Sequence, residues 1–482
     1  MNRYEHRALI DGSWEAAGSA GTRPVTNPAT NEVLAEVAWC GADDVTRAID
    51  GAQRAFQTWG RMPGSDRSKL IRRLYDLMVR DADRLAATMT AEQGKPLAEA
   101  RGEVLYAAGF LEWSAEEAKR VGGEIIPAFV PNKRLLVLRQ PVGVTASITP
   151  WNFPAAMITR KLGPALAAGC TMVIKPASAT PLTALALAAL AEEAGFPPGV
   201  ISVVMGDSAT IADTLLGDAR VRALSFTGST EVGKTLMAKA AAHVTKLELE
   251  LGGHAPFLVF DDADLDAAVA GAIGSKFRNA GQTCVCANRI YVQAGIYDAF
   301  AAALAKATSA LVVGDGTTPG VQIGPLIDDA AVAKVEDHVA DALARGGTII
   351  TGGGRFAAPD GLADRFYTPT VIGNVDPSMR LYHEETFGPV APLIRFTTEE
   401  EAIAMANDTP YGLAAYFYTR DASRLFRVAE ALEYGIVGAN DGLPSTPQVP
   451  FGGMKESGLG REGGRWGLDV FLETKFVSVG LS

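Results

Sequence analysis

Between residues 142 and 242 short runs rich in Val and Ile alternate with longer runs rich in Ala and Leu, which limits the fold more than any other feature. The pattern predicts strands over 142–149, 171–175, 200–205 and 221–227, and helices over 155–168, 181–194, 208–216 and 231–242. A strand buried on both faces reads as an unbroken apolar run, and parallel strands need a crossover long enough to hold a helix. The expected result is a series of right-handed βαβ units, hence an α/β protein with a Rossmann-like, mostly parallel sheet. A long helical region over about 43–119 precedes it, with Leu70, Leu74, Leu77 and Met78 at helical spacing. A second α/β stretch begins near Gly252 and runs past Val437. Residues 124–139 are interrupted by Pro and then alternate through Arg134, Leu136 and Leu138, which predicts a protruding hairpin. Residues 471–479 read as a terminal strand whose edge must pair, and another subunit is the expected partner.

The 482 residues carry 44 basic and 55 acidic side chains, a net charge of −11, and 48% are hydrophobic. That is apolar enough for a large core and argues against nucleic acid, which rewards clustered Lys and Arg. Stretches such as 179–191 fall short of the roughly 18–20 apolar residues a membrane helix needs, so no membrane association is expected. The N-terminus lacks the apolar run of a signal peptide. Four cysteines are too few for a disulfide framework, and five scattered histidines suggest no metal site. A soluble, reduced, cytoplasmic protein is the expectation.

Gly228-Ser-Thr-Glu-Val-Gly233-Lys234-Thr235 fits the pattern of a nucleotide-triphosphate loop between a strand and a helix. Phe257-Leu-Val-Phe-Asp261 could supply the apolar strand and magnesium-holding Asp of a P-loop ATPase. Against this, Glu231 would put a carboxylate inside a loop meant to enclose phosphates. The same residues serve equally well as a dinucleotide pyrophosphate site, where N–H groups at a helix start meet the anion.

Asn279-Ala-Gly-Gln-Thr-Cys284-Val-Cys286 follows a helix expected over 264–278, with small and polar residues that would let a substrate approach the thiol. Glu250-Leu-Gly-Gly253 ends a strand-like run with a carboxylate beside two glycines. Thr149-Pro-Trp-Asn152-Phe-Pro154 makes a rigid loop at the carboxyl end of a buried strand, where ligands of parallel sheets bind. Together with Lys175-Pro-Ala-Ser178, Phe226-Thr-Gly-Ser-Thr-Glu-Val-Gly233, Glu384-Glu-Thr-Phe-Gly-Pro389 and Pro450-Phe-Gly-Gly453, these segments resemble the aldehyde dehydrogenase superfamily along essentially the whole chain. Within it, residues 276–288 and 457–463 look most like bacterial succinate-semialdehyde dehydrogenases.

The resemblance implies a cofactor-binding domain (1–123 and 143–251), a catalytic domain (252–440), a small β oligomerisation arm (124–142 and 467–482) and a returning segment (441–466) lining the active site. It implies Cys284 as nucleophile, Asn152 as oxyanion donor and Glu250 as general base. Thr149, Pro150, Trp151, Lys175, Ser178, Gly228, Ser229, Gly233, Glu385 and Phe387 would hold the cofactor. Ser178 stands where many NAD-using relatives carry Glu, which would repel a 2′-phosphate, so NADP is the expected preference with NAD as the alternative. Arg160, Arg278 and Ser445 match positions that hold a substrate carboxylate, and guanidinium geometry suits that anion. The expected substrate is succinate semialdehyde, but departures at Gly438-Ala-Asn-Asp441 and Pro444 leave glutarate semialdehyde open. Cys286 could form a reversible disulfide with Cys284, provided the loop bends to bring them within bridging distance. A homodimer or homotetramer is implied, with a small-molecule aldehyde as the other partner.

Overall fold

The four apolar runs become the strands Val144–Ile148, Thr171–Lys175, Ile201–Val203 and Val221–Thr227, buried along their length except at Arg222. The structure, a computed structural model that describes residues 4–481, pairs them in parallel and adds Lys246–Glu250 beside Val221–Thr227. Ala8–Ile10 and Ser13–Glu15 close one edge of this eight-stranded sheet, and Gly458–Leu459 pairs antiparallel at the other. From Val144–Ile148 the chain first builds outward through Thr171–Lys175 and Ile201–Val203, then returns to place Val221–Thr227 on the opposite side. This reversal is a topological switch point, where the loops leaving neighbouring strands diverge and open a crevice at their carboxyl ends. The loops concerned carry Thr149-Pro-Trp-Asn152 and Gly228-Ser229.

The second sheet has seven strands, in the order Thr348–Thr351, Thr370–Gly373, Val390–Phe396, Ala287–Gln293, Ala255–Val259, Ala414–Tyr418 and Ile436–Ala439, parallel except for the first pair. Each large sheet lies in its own core of buried apolar side chains. The segment after Glu250 passes from the first sheet to the second, so Glu250 stands at the boundary. The long helical region divides into Ala42–Trp59, Gly64–Arg80, Ala82–Gln93 and Leu97–Glu117. Pro63 and Pro96 stand just before two of these helices, where a missing N–H costs nothing. Among the described residues no helix is long and apolar enough to cross a membrane.

The hairpin expected over 124–139 is present as Glu124–Ile126 against Lys133–Pro141. The terminal strand, Leu472–Gly480, pairs with Lys133–Pro141 of its own chain over nine residues, Leu472↔Pro141 to Gly480↔Lys133, which joins the two parts expected to form the arm and keeps this strand at the sheet edge. Residues 467–471, expected in the arm, instead form part of the turn Trp466–Phe471, whose Leu468 and Phe471 enter the core of the first sheet.

The triphosphate-loop reading is also corrected. The helix Thr230–Ala240 begins two residues after Gly228, which leaves no loop to wrap a phosphate and puts Lys234 inside the helix. Lys234 is exposed and pairs with Glu456 at 2.9 Å. The residues proposed to hold magnesium lie at Ala255–Val259 and beyond, in the other sheet. Gly233 has a packing role: a Cβ there would meet Leu251 Cδ2 at 2.5 Å, so its absence lets the helix close on the crossing segment.

Candidate active site

A cavity of about 320 Å³ lies between the two sheets, and Cys284, Arg160, Arg278, Ser445, Tyr106 and Phe451 are among its walls. Cys284 arrives there by a sharp bend. Asn279, Ala280 and Gly281 hold φ of 52°, 55° and 74°, so the chain leaves the helix Leu265–Phe277 in three successive left-handed residues. The turn costs strain at the two non-glycine positions, which the surrounding hydrogen bonds must over-determine. Gly253 completes the approach: a Cβ at that position would lie 2.2 Å from the Cys284 carbonyl oxygen. The two-glycine motif after Glu250 thus brings the crossing segment onto the back of the cysteine.

Burial pushes the Cys284 thiol up to about 12, with Arg160 opposing and the carboxylates of Glu385 and Glu250 adding to the rise. Asn152 is buried; its Nδ2 donates to the Gln282 carbonyl at 3.1 Å, while Oδ1 has no partner among the described residues. Glu250 ends its strand inside the protein, and neither carboxylate oxygen is hydrogen-bonded among the described residues. Burial raises its carboxyl well above the ordinary range, and the neighbouring charge of Glu462 raises it further against the pull of Arg160 and Lys161.

Glu462 comes from the returning segment. It is gripped by Arg160 Nε and Lys161 Nζ, and Lys161 also donates to Thr227 Oγ1 at 2.7 Å. Burial alone would raise the Glu462 carboxyl, but these two cations outweigh it and hold it below the ordinary range. Arg160 is therefore partly engaged. Its guanidinium carbon lies 3.8 Å from the centroid of Phe451, and its Nη2 is buried without a partner among the described residues. Arg278 Nε is likewise buried and unpartnered among the described residues, and Ser445 Oγ lies 3.2 Å from Tyr106 Oη. Tyr106, Lys161 and Glu462 were not expected here. Only Glu462 had a signal, its place in the Arg461-Glu462-Gly463 stretch.

The residues expected to hold a cofactor gather at the switch point. Thr149 N–H donates to the Lys175 carbonyl at 3.1 Å, which ties adjacent strand ends together. Lys175 Nζ is buried and donates to Ser208 Oγ at 2.9 Å, and burial lowers its amine to about 8 against the attraction of Asp207. Ser178 is exposed on the following loop. Ser229 caps the helix Thr230–Ala240 by accepting the Val232 N–H at 3.3 Å, and Gly228 precedes it. The Trp151 ring, next to Pro150, meets Phe387 edge to face at 5.7 Å. Phe387 sits at φ 56°, and His338 Nδ1 lies 3.1 Å from Thr386 Oγ1 beside it. Glu385 accepts the Gly253 N–H at 3.4 Å, and burial raises its carboxyl to about 7. Lys175 and Glu385 are thus desolvated groups with few partners, one cationic and one carboxylic. With the N–H groups at a helix start, they form a donor and acceptor set that fits the phosphates and ribose hydroxyls of a dinucleotide.

Cys286 is buried, and its Sγ donates to the Lys276 carbonyl at 3.1 Å; both Cys284 and Cys286 are free thiols.

A parallel sheet with a switch-point crevice, in a protein that also gathers a cysteine, a buried carboxylate and a buried amide, defines an α/β oxidoreductase. The aldehyde dehydrogenase family model matches residues 14–477, and the chain belongs to that family. It is 56% identical over 480 residues to the NADP(+) succinate-semialdehyde dehydrogenase GabD of Escherichia coli (strain K12), covering 100% of this chain and 99% of that one. It is 55% identical to a glutarate-semialdehyde dehydrogenase of Pseudomonas aeruginosa, covering 99% and 98%. A crystal structure of an E. coli NADP dependent enzyme superposes with a TM-score of 0.97 at 56% identity, covering 100% and 99%.

Proposed function

We propose that the protein oxidises succinate semialdehyde to succinate, with NADP as the favoured acceptor and NAD as the second. One observation carries the substrate class: Arg160 Nη2 and Arg278 Nε are buried donors, unpartnered among the described residues, on side chains that line the same cavity as Cys284. An orphaned guanidinium N–H is costly unless an anion completes it, and a carboxylate does so with charge-assisted hydrogen bonds. The Ser445 and Tyr106 hydroxyls add neutral donors on the same wall. The similar GabD and glutarate-semialdehyde proteins are named for aldehydes that carry a carboxylate.

Cys284 attacks the aldehyde carbon as thiolate, forming a thiohemiacetal. The Asn152 amide and the Cys284 backbone N–H take the oxyanion, donors set where charge develops. Lys175, Ser229, Glu385 and Phe387 would hold the dinucleotide, whose chemistry would be to supply the hydride acceptor for oxidation of the thiohemiacetal to a thioester. Glu250 then draws a proton from water, which attacks the thioester and releases the acid. Glu462, fixed between Arg160 and Lys161, keeps a negative charge near Glu250 and so favours its protonated resting form.

For the cofactor, the exposed Ser178 brings no negative charge to a 2′-phosphate while Lys175 brings a positive one. kcat/KM is expected to be higher with NADP than with NAD; a tenfold preference for NAD would overturn this. Arg278→Ala should raise KM for succinate semialdehyde roughly ten- to a hundredfold, the weight of a charged hydrogen bond, and leave an uncharged aldehyde of the same length nearly unaffected. Equal changes with both aldehydes would take Arg278 out of the carboxylate site. Running the comparison over semialdehydes of graded length also decides between succinate and glutarate semialdehyde. The proposal includes a homodimer or homotetramer, supported by the exposed Ile125, Phe129 and Phe476 on the three-stranded sheet and its flanking turn, and a cytoplasmic location, supported by four cysteines that are all free.

A further inference from the structure

Lys95 stands in the turn between Ala82–Gln93 and Leu97–Glu117, and Glu103 lies on the second of these helices. Both side chains are buried. Lys95 Nζ donates to Glu103 Oε2 at 2.5 Å and to the Asn152 backbone carbonyl at 2.7 Å, and lies 4.0 Å from the centroid of the Phe153 ring. The other carboxylate oxygen, Glu103 Oε1, accepts the N–H groups of Ala155 at 3.0 Å and Ala156 at 3.3 Å. One ion pair therefore grips the chain on both sides of Phe153.

A second set of bonds runs from the same turn to the cysteine loop. Gln93 Nε2 donates to Asn279 Oδ1 at 3.0 Å, and Asn279 Nδ2 donates to the carbonyls of Asn152 at 3.0 Å and Gln282 at 3.2 Å. Asn152 Nδ2 reaches the same Gln282 carbonyl. A buried ion pair is a poor way to stabilise a fold, since well-packed apolar residues do as well at a smaller desolvation cost. What it supplies is direction: fixed donors and acceptors that allow one placement of the backbone they hold.

We propose that Lys95 and Glu103 are positioning residues that set the Asn152 amide against Cys284 for the oxyanion formed when the thiolate adds to a carbonyl. The inference rests on the roles given above to Cys284 and Asn152. It separates two reactions of one sulfur. In acylation by p-nitrophenyl acetate, the thiolate adds to the carbonyl carbon, a tetrahedral oxyanion forms, and its collapse makes the thioester and expels p-nitrophenolate. In alkylation by iodoacetamide, the C–S bond forms as iodide leaves and no oxyanion arises. Arg160, Arg278, Glu250 and Glu385 act on the Cys284 thiol, and the variants at Lys95 and Glu103 leave all four in place.

The test compares both rates in the wild type and in Lys95→Met/Glu103→Gln, which removes both charges together and keeps an acceptor for Ala155 and Ala156. Acylation should fall at least about tenfold, a fraction of the loss from deleting an oxyanion donor outright. Alkylation should stay within about twofold, with NADP binding measured by fluorescence unchanged. Lys95→Arg, which keeps the charge but shifts the donors, should give an intermediate acylation rate and is the variant to read if the double variant does not fold. Equal acylation rates, or a parallel fall in both reactions, would overturn the proposal. A wild-type enzyme that is alkylated but never acylated at Cys284 would instead overturn the underlying reading of the nucleophile.

Discussion

Glu250→Gln is expected to give one equivalent of reduced cofactor per active site in a rapid burst and then nearly stop. Attack by Cys284 and hydride loss need no base at position 250, whereas water must lose a proton to cleave the thioester. Removing a general base of this kind costs roughly 10²- to 10⁴-fold in the step it serves. The acyl-enzyme should therefore accumulate, and intact-mass spectrometry after the burst should find the succinyl adduct on Cys284. The pH dependence follows from burial. Because the Glu250 carboxyl is raised well above its ordinary range, the working carboxylate forms only as pH rises, and steady-state kcat should climb with pH through that ionisation. The variant should lack that limb. The same shift has a stability consequence of opposite sign. The folded protein keeps the Glu250 proton while the unfolded chain loses it near 4.5, so the wild type loses stability as pH rises from there to the folded pKa. Gln carries no such penalty, so the variant should melt higher than the wild type at pH 7 and at the same temperature near pH 4. A variant that turns over at the wild-type rate, without burst or adduct, would remove Glu250 from the chemistry.

How far this site could be read from the chain depended on the distance over which each interaction acts. Asn152, Cys284 and Glu250 drew notice because each sits in a short run whose composition reflects local backbone demands (a proline-fixed loop, a left-handed bend, and two glycines at a close approach), while the roles proposed for them came from the family resemblance. The βαβ series was visible for the same reason, since strand and crossover are both local patterns. The pairing of Arg160 and Lys161 with Glu462 spans about 300 residues and leaves no periodic trace, so nothing in the sequence showed that Arg160 Nε is engaged by a carboxylate. Tyr106 lies in a helix whose other residues serve ordinary packing, and nothing nearby marks its hydroxyl as meeting Ser445. The triphosphate pattern misled because it specifies spacing but not where the helix begins. With Ser229 as cap, the helix starts too early to leave a phosphate loop. The terminal strand was read locally as a strand needing a partner; its union with residues 133–141 in one arm came from the family resemblance, because no local pattern carries that tertiary pairing.

Cys284→Ala is expected to lower NADPH formation by at least about 10⁴-fold, since no other group at the site can hold the acyl intermediate. The cofactor crevice is formed by other residues, so NADP binding should survive, and the variant separates binding from chemistry. The wild-type sulfur should itself show an unusual pH response. Burial holds the free enzyme's thiol up at about 12, so the thiolate is a minor form throughout the neutral range. Alkylation by iodoacetamide in the absence of cofactor should therefore be slow at pH 7 and rise about tenfold per pH unit to pH 9, without levelling at the value near 8.5 of an exposed cysteine. Arg160 opposes the rise and Glu385 adds to it. Neutralising Glu385 should consequently speed alkylation at a given pH, while replacing Arg160 should slow it. The raised thiol is consistent with a resting enzyme protected from oxidation, whose nucleophile is formed as substrate and cofactor complete the site's charges. An alkylation profile that levels below pH 9, or oxidation rates that survive Cys284→Ala, would mean that this sulfur is neither as desolvated nor as central as its surroundings require.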